Sequence, residues 1–457
     1  MAEDFTVAGR QVVVVGAARS GIAAAELLVR RGAHVTLTES RSTFDAAPHL
    51  REAGIRLELG GHQRETLATA DLIVVSPGVD VEQPVFAAAR EQGIEIIGEL
   101  ELAFRWLRGR VIAITGTKGK STTTTLIGRM LAAAGRQVLV GGNIGVPVSA
   151  QVEMSTPESI HVIEASSFQL ETTTRFRPWI ALWLNFADDH LDRHPDVASY
   201  AAAKARIFAN QTADDWAVVN ADDAAVMEQS AGTAAQRVRF SPSGRIDEGF
   251  VASREWIVRR TATGEQPLVP VAAVELTGVH MLHNAIAAVA VSSIAGVPPD
   301  AMVAALAGFR GLPHVMEPVG DVRGVRFVND SKATNVEAAR RSIESFAQGV
   351  VAIIGGRYKG GDFTELREPL RTRGRAVVAI GEAAGRVRAA LADTVPVIDA
   401  DSMDVAVERG FDAAGPDGVV VLAPACSSFD WFSDYAARGD AFKAAVERLK
   451  RKIASLN

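Results

Sequence analysis

The sequence holds a single cysteine, Cys426, in 457 residues. An internal disulfide is therefore excluded, the chain fits a reducing compartment, and Cys426 reads as a small buried residue. An excess of positive charge is also missing: 48 Lys and Arg stand against 54 Asp and Glu, a net charge of −6. Without a global basic field nucleic acid is not an expected partner, and any anionic ligand must be met locally. No uninterrupted apolar run is long enough to span a bilayer. The longest uncharged stretch, Leu276 to Pro299, is broken by His280, His283, Asn284, Ser292 and Ser293. We expect a buried helix near 284–294 there, and no membrane attachment. The start MAEDFTVAGR is acidic and runs at once into a strand-like segment, unlike a signal peptide, so the protein reads as cytoplasmic. Internal repeats and low-complexity tracts are lacking too, and 48% hydrophobic with 22% charged residues is the composition of a folded globular chain.

At ~150 residues per domain, this length suggests three domains. Short apolar runs alternate with helical patterns: Val12 to Val15 before Ile22 to Arg31, then Val35 to Leu37, Leu72 to Val75, and Val111 to Ile114 before Ser121 to Ala134. That alternation marks βα units feeding a parallel sheet, so the fold class is α/β. It recurs after Arg326, in Val351 to Ile354, Ala376 to Ile380 and Val419 to Leu422. We expect three domains, each with a mainly parallel sheet flanked by helices. Trp106 to Arg110, just before a new strand, and the Gly/Pro-bearing Gly308 to Pro313 set the boundaries, giving 1–108, 109–312 and 313–457. Arg237 to Pro270 reads as short strands and loops appended to the middle domain.

The strongest local signal is VIAITGTKGKST, from Val111 to Thr122, a strand entering a Gly-rich turn that opens a helix. Backbone N–H groups of such a turn, with the positive end of the helix dipole, bind phosphate without any side chain. Lys120 would neutralise the β/γ-phosphates and Ser121 would ligate Mg²⁺. The spacing is a shortened variant: the ordinary phosphate-loop pattern needs Gly at position 114, which is Ile114, and the glycines here are Gly116 and Gly119. By contrast VVVVGAARSG, ending at Gly21, has Gly16 but Ala18 where a dinucleotide fingerprint wants its middle Gly. Glu39, ending the second strand, is placed to accept hydrogen bonds from a ribose.

Carboxylates fall at strand ends downstream. Ile160 to Ile163 runs into Glu164, a plausible Mg²⁺ ligand, since Mg²⁺ takes one or two carboxylates beside phosphate oxygens and waters. Ile180 to Asn185 runs into DDHLDRH, where His190 and His194 have the spacing of a helical zinc pair, but Pro195 argues for a loop. Lys204, by composition alone, is a solvated helix lysine. In the third region NDSKATN, from Asn329 to Asn335, follows a strand and is either a site or a helix cap. GGRYKGG, with Lys359, and PACSS, ending at Ser428, also follow strands, and Lys359 is suited to a carboxylate or phosphate.

Taken in order, GTKGKST, EASSFQLE, DDHLDRH, YAAAKARI, GLPH, NDSKATN, GGRYKGGDF and PACSSFD resemble the Mur ligase family, over essentially the whole chain from the Gly16 loop to Gly439. The resemblance implies a Rossmann-like N-terminal domain for a uridine-nucleotide substrate, a phosphate-loop ATPase-like central domain, and a dinucleotide-fold C-terminal domain that admits an amino acid. It implies an ATP-dependent ligase of peptidoglycan precursor synthesis, a cytoplasmic monomer that adds D-glutamate to UDP-N-acetylmuramoyl-L-alanine through an acyl phosphate, with two Mg²⁺. Ser20, Glu39, Ser40, Arg41, Gly78, Asn143 and Gln169 match positions on the UDP-sugar. Gly116, Thr117, Lys118, Gly119, Lys120, Ser121, Thr122, Asn284, Asp330 and Lys332 match ATP positions, and Ser121 and Glu164 match the first metal site. His190 and Lys204 match the second metal site, where the family lysine is carbamoylated, because CO₂ on a neutral amine creates the carboxylate a cation needs. Thr334, Lys359, Ser428 and Tyr435 match the D-glutamate pocket. The residues expected to act in catalysis are Lys120, His190, Lys204 and Lys359, with His190 the candidate to accept the amine proton.

Four positions depart from the family pattern: Lys118 for Asn, Met281 for the first Asn of H-N-x-x-N, Val315 for the Arg after Pro313-His314, and Tyr358 for Asp or Gly. Other readings are a sibling ligase with a different amino acid and a nucleotide-binding regulator that has lost activity. A dinucleotide-dependent oxidoreductase would leave Gly116 to Ser121 unexplained.

Overall fold

The computed structural model describes residues 5–44, 46–187, 193–274, 279–309, 311–358 and 360–455. The chain forms two compact units, Met1–Phe309 and Arg310–Asn457.

The first unit carries two sheets. The N-terminal sheet comprises β1 (Gln11–Val15), β2 (His34–Glu39), β3 (Arg56–Leu59), β4 (Leu72–Val75) and β5 (Ile96–Gly98), in the order β3-β2-β1-β4-β5, with every pair parallel. The valine run of β1 is buried on both faces, as a parallel sheet covered by helices requires. Val12 and Val14 pack with Ala24 and Leu28 of helix Arg19–Arg30, while Val13 and Val15 pack with Leu67 and Phe86 on the other side. This is the period of two made visible.

The second sheet contains β6 (Arg110–Thr115), β7 (Val138–Gly142), β8 (Ile160–Glu164), β9 (Ile180–Trp183), β10 (Trp216–Asn220), β11 (Gln236–Ser241), β12 (Gly249–Ala252), β13 (Trp256–Thr261) and β14 (Gly264–Pro270). Its order is β14-β13-β12-β11-β10-β9-β6-β8-β7. The strands from β7 to β12 pair in parallel, and β13 and β14 close one edge as an antiparallel hairpin. Residues 237–270 therefore do form short strands, and they extend the central sheet itself. Helix Val279–Ile294 is buried from Ala285 to Val291, as its apolar sequence requires. Among the described residues no helix is long and apolar enough to cross a membrane.

Helix Glu99–Phe104 lies between the two sheets of this unit. Buried Glu101 accepts the N–H groups of Thr174, Arg175 and Phe176 and the Arg105 Nε, so one carboxylate fixes the turn after Leu170. Leu100 and Ala103 enter the same apolar cluster as Val148, Phe176 and Trp183.

The second unit holds β15 (Glu317–Val322), β16 (Val325–Asn329), β17 (Val350–Gly355), β18 (Gly374–Ile380), β19 (Val397–Ala400) and β20 (Val419–Leu422), in the order β15-β16-β20-β17-β18-β19. Only β15 is antiparallel. The three-sheet α/β architecture agrees with the expectation.

Candidate active site

Strand β6 is buried from Val111 to Thr115 and delivers the chain to Gly116, at φ +149°. Gly119, at φ +81°, then caps helix Lys120–Ala133 without any side-chain cap bond. A turn of this shape aims main-chain N–H groups and the positive helix end at one spot. Asn185, just beyond β9, clasps it: its Oδ1 accepts from Thr117 N at 3.1 Å and Lys118 N at 2.8 Å, and its Nδ2 donates to the Lys118 carbonyl at 3.0 Å. The Thr117 hydroxyl donates to the Ala187 carbonyl at 3.2 Å and accepts from Ala187 N at 3.0 Å.

Two lysines converge on the loop. Lys120 Nζ donates to the Gly116 and Thr117 carbonyls at 2.9 and 3.0 Å. Lys204 Nζ donates to the same Gly116 carbonyl at 2.9 Å. Lys204 is only 2% exposed, so it is not the solvated lysine its composition suggests. Asp196 caps its helix by accepting from Ser199 N, and the four-residue spacing puts the Tyr200 ring 4.6 Å from the ammonium. Ser121 and Thr122 lie in the first turn after Lys120, and the Asn284 amide lies against Gly119, where an added methyl would meet Oδ1 at 2.2 Å.

Glu164 closes β8, in register with Ile114 of β6. It is 1% exposed; its Oε1 accepts from Asn143 Nδ2 at 2.7 Å, and its buried Oε2 has no hydrogen-bond partner among the described residues. A buried carboxylate oxygen left this way is costly unless something cationic meets it. A divalent cation held by one carboxylate, the Ser121 hydroxyl and phosphate oxygens fits that donor set. Among the described residues no three His, Cys, Asp or Glu side chains are grouped so as to hold a metal ion by themselves. His190 lies outside the described residues. His194 stacks on Phe168 at 5.3 Å and 14°, with Nε2 3.0 Å from Ser167 Oγ, an aromatic packing role. Gln169 completes a capping box with Ser166, accepting from Ser166 N at 3.1 Å.

In the N-terminal sheet, the Gly16 turn follows β1 and Ser20 sits in the first turn of helix Arg19–Arg30. Ser76 Oγ donates to the Gly16 carbonyl at 2.9 Å, just ahead of exposed Gly78. Arg19 Nη2 donates to the Gly145 carbonyl at 2.8 Å, which ties this turn to the loop carrying Asn143. Glu39 is occupied by its own neighbours. Its Oε1 accepts from Ser40 Oγ and Arg41 N, and its Oε2 from Ala17 N at 2.7 Å and Arg41 Nη2 at 3.1 Å. Burial pushes this carboxyl up, but the bonds from Arg41, Ala17 and Ser40 outweigh it and hold the pKa at about 2. The ribose contact expected of Glu39 thus meets a carboxylate already engaged in shaping the loop.

In the second unit, Asp330 follows β16 and is buried. Its Oδ1 accepts from Met316 N at 3.1 Å and its Oδ2 from the Ser342 hydroxyl; burial pushes its pKa up. Lys332 N donates to the His314 carbonyl, and Ala425 N to the Ala333 carbonyl, which brings the segment with Thr334 against the Pro424–Ser428 loop. Arg438, absent from every motif above, joins the pieces. It is 1% exposed and donates to Ser331 Oγ at 3.0 Å, the Ser331 carbonyl at 2.9 Å and the Cys426 carbonyl at 3.1 Å. Burial drives its pKa down to about 10. Ser331 Oγ donates in turn to the Tyr435 carbonyl at 2.7 Å, so Thr334, Ser428 and Tyr435 stand on one bonded frame. Lys359 lies outside the described residues. Its neighbour Tyr358 donates to the Gly361 carbonyl at 2.7 Å and takes the Arg386 guanidinium 4.8 Å above its ring. Met281, another departure, turns its sulfur to Asn284 Nδ2 at 3.9 Å.

Residues 10–98 match the N-terminal domain model of MurD-like Mur ligases, 114–292 the Mur ligase middle domain, and 316–426 the Mur ligase glutamate ligase domain. The UDP-N-acetylmuramoylalanine–D-glutamate ligase of Acidobacterium capsulatum is 46% identical over 443 residues, 96% of either chain. Among solved structures, UDP-N-acetylmuramate–alanine ligase MurC of Thermotoga maritima superposes with a TM-score of 0.58 at 17% identity, over 97% of this chain and 100% of its own. MurF ligase of the same organism, solved in complex with ADP, gives 0.55 at 18% identity over 97% and 96%; these two likenesses concern the fold. With matches to all three family domains and a full-length relative at 46% identity, the chain belongs to the Mur ligase family.

Proposed function

We propose that this chain is an ATP-dependent ligase that joins D-glutamate to UDP-N-acetylmuramoyl-L-alanine in peptidoglycan precursor synthesis. The observation that carries the reading is the Gly116–Ser121 turn beside the unpartnered Glu164 oxygen, a place built for phosphate and a cation. The substrates are those in the name of the full-length relative.

A carboxylate is a poor acyl donor. The γ-phosphoryl of ATP therefore passes first to the muramoyl-alanine carboxylate, the amine of D-glutamate attacks the acyl phosphate, and phosphate leaves as the amide forms. Backbone N–H groups of Gly116, Gly119 and Thr122 hold the triphosphate, those of Thr117 and Lys118 join them on giving up Asn185 Oδ1, and Lys120 exchanges its two loop carbonyls for phosphate oxygens. Ser121 and Glu164 hold one Mg²⁺, and His190 with a carbamoylated Lys204 holds a second. Bound Mg²⁺ would supply neutralisation of the charge on the phosphate oxygens. Asn284, Asp330 and Lys332 serve the rest of the nucleotide. Ser20, Glu39, Ser40, Arg41, Gly78, Asn143 and Gln169 serve the UDP-sugar, with Glu39 acting through the loop it shapes. Thr334, Lys359, Ser428 and Tyr435 serve D-glutamate, where the Lys359 ammonium pairs with a carboxylate. His190 has one basic nitrogen, so taking the proton of the attacking amine is the alternative to its metal role and not an addition to it. The division of labour follows segments 1–108, 109–312 and 313–457, in a monomer working in the cytoplasm.

The test is Mg²⁺- and ATP-dependent phosphate release with UDP-N-acetylmuramoyl-L-alanine, adding D-glutamate, L-glutamate, L-lysine or meso-diaminopimelate in turn. Release with D-glutamate alone is expected. Release with another acceptor overturns the substrate assignment, and release with none overturns the ligase reading.

A further inference from the structure

We propose that His62 is a further contact of the sugar-nucleotide substrate, made through its Nε2 to the uridine end. The inference rests on the UDP-substrate reading above and adds a residue that no motif supplied.

In the N-terminal sheet, β3-β2-β1-β4-β5, all strands are parallel and the order in which the chain lays them down reverses between β1 and β4. Ligands of open parallel sheets cross the carboxyl ends of the strands at such a switch point, with phosphates on the first turn and the nucleoside running out over β2. Here the Gly16 turn is the first turn, and the β2 end is Thr38-Glu39. At that end Glu39 has given both oxygens to Ser40, Arg41 and Ala17. A nucleoside crossing this edge must find its polar partner elsewhere.

His62 reaches the same edge from the loop between β3 and helix Arg64–Ala68. The loop is laid there by two main-chain bonds, Gly60 N to the Arg41 carbonyl at 3.0 Å and Gly61 N to the Glu39 carbonyl at 3.1 Å. The ring is half-buried, with Nδ1 2.6 Å from Thr38 Oγ1. Its Nε2 has no partner among the described residues, and it is not among the polar atoms sealed from the outside. An imidazole held by one nitrogen and presenting the other is a fixed single-point contact. Burial lowers the His62 pKa, against the pull of the Glu39 charge. A neutral ring suits the carbonyls and N–H of a uracil or the hydroxyls of a ribose, and gives little to a phosphate.

Equilibrium binding of UDP, pyrophosphate and ATP to the full chain tests this, using wild type, His62→Ala and His62→Gln, each checked by thermal melting. His62→Ala is expected to weaken UDP about five- to tenfold, one hydrogen bond's worth, and to leave pyrophosphate and ATP unchanged. His62→Gln keeps a polar end and should recover part of the loss; it also carries the test if the alanine variant fails to fold. Unchanged UDP affinity in folded variants overturns the role of His62 and leaves the ligase reading intact. Equal losses for UDP and pyrophosphate place the contact on phosphate and overturn it as well. Wild-type protein that binds no UDP overturns the substrate reading itself.

Discussion

Gly119→Ala is a direct probe of how the phosphate loop is held. Gly119 sits at φ +81° and ψ −6°, a conformation that costs a residue with a β-carbon about 1–2 kcal/mol. The new methyl would also stand 2.2 Å from Asn284 Oδ1, far inside contact distance, so the amide must swing away. Little opposes the swing, because among the described residues the one hydrogen bond of Asn284 Nδ2 is to the Met281 sulfur at 3.9 Å. The stability cost is therefore mainly the backbone part, about 1–2 kcal/mol in urea unfolding. Activity should suffer more, because Asn284 leaves the loop and a displacement near 1 Å can cost about 10²-fold. We expect kcat/KM for ATP to fall by about tenfold or more in the phosphate-release assay. Asn284→Ala removes the atom that the methyl meets, so in that background Gly119→Ala should add a clearly smaller kinetic loss at the same stability cost. Wild-type stability and kinetics in Gly119→Ala would refute the left-handed turn. Equal kinetic losses in both backgrounds would refute the coupling to Asn284.

Glu164→Gln should leave the fold as stable or more so, because a buried, half-satisfied charge is removed, while the Mg²⁺ concentration for half-maximal phosphate release rises about tenfold or more; an unchanged Mg²⁺ requirement counts against Glu164 as a ligand. The Glu39 pKa is depressed from 4.5 to about 2, so its stabilisation is complete above about pH 4.5 and drains away as pH falls toward 2. Glu39→Gln should flatten that acid limb in pH-dependent unfolding, and an unaltered limb would show that Glu39 does not cause it. Arg438→Lys surrenders most of three hydrogen bonds in a buried site. It should cost about 2–4 kcal/mol of stability and raise KM for D-glutamate more than KM for ATP; equal changes in the two constants would argue for a purely structural role.

The strands legible in the sequence were those written as runs of apolar and β-branched residues. Leu72–Val75, Val350–Gly355 and Val419–Leu422 are buried along their whole length, so nothing polar interrupts the signal. Strand β3 escaped because RLEL is only part-buried, and β5 because three residues carry no periodicity. The phosphate loop was readable for a related reason, since strand, glycines, lysine and serine are all local in sequence. Asn185 clasps that loop from 68 positions away, and Arg438 reaches Ser331 across 107. No local spacing encodes such partners; only the folded sheet brings them together. Lys204 shows the same limit from the other side, since its burial beneath Tyr200 comes from tertiary packing. Glu39 shows that a residue at the right strand end can spend its acceptors on its own loop.

The bond between Asn143 and Glu164 has a consequence for the order in which ligands arrive. One amide hydrogen of Asn143 occupies the same carboxylate whose other oxygen, buried and without a hydrogen-bond partner among the described residues, is the proposed cation ligand. A ligand that draws on Asn143 changes the charge and orientation that Glu164 can offer, and a cation on Glu164 changes what Asn143 can give a sugar nucleotide. Such a dependence is reciprocal by thermodynamic necessity: the factor by which Mg²⁺ alters affinity for the sugar nucleotide equals the factor by which the sugar nucleotide alters affinity for Mg²⁺. If Glu164 takes the cation and Asn143 the sugar nucleotide, as proposed above, this single hydrogen bond at the end of β8 makes the two ligands report on each other.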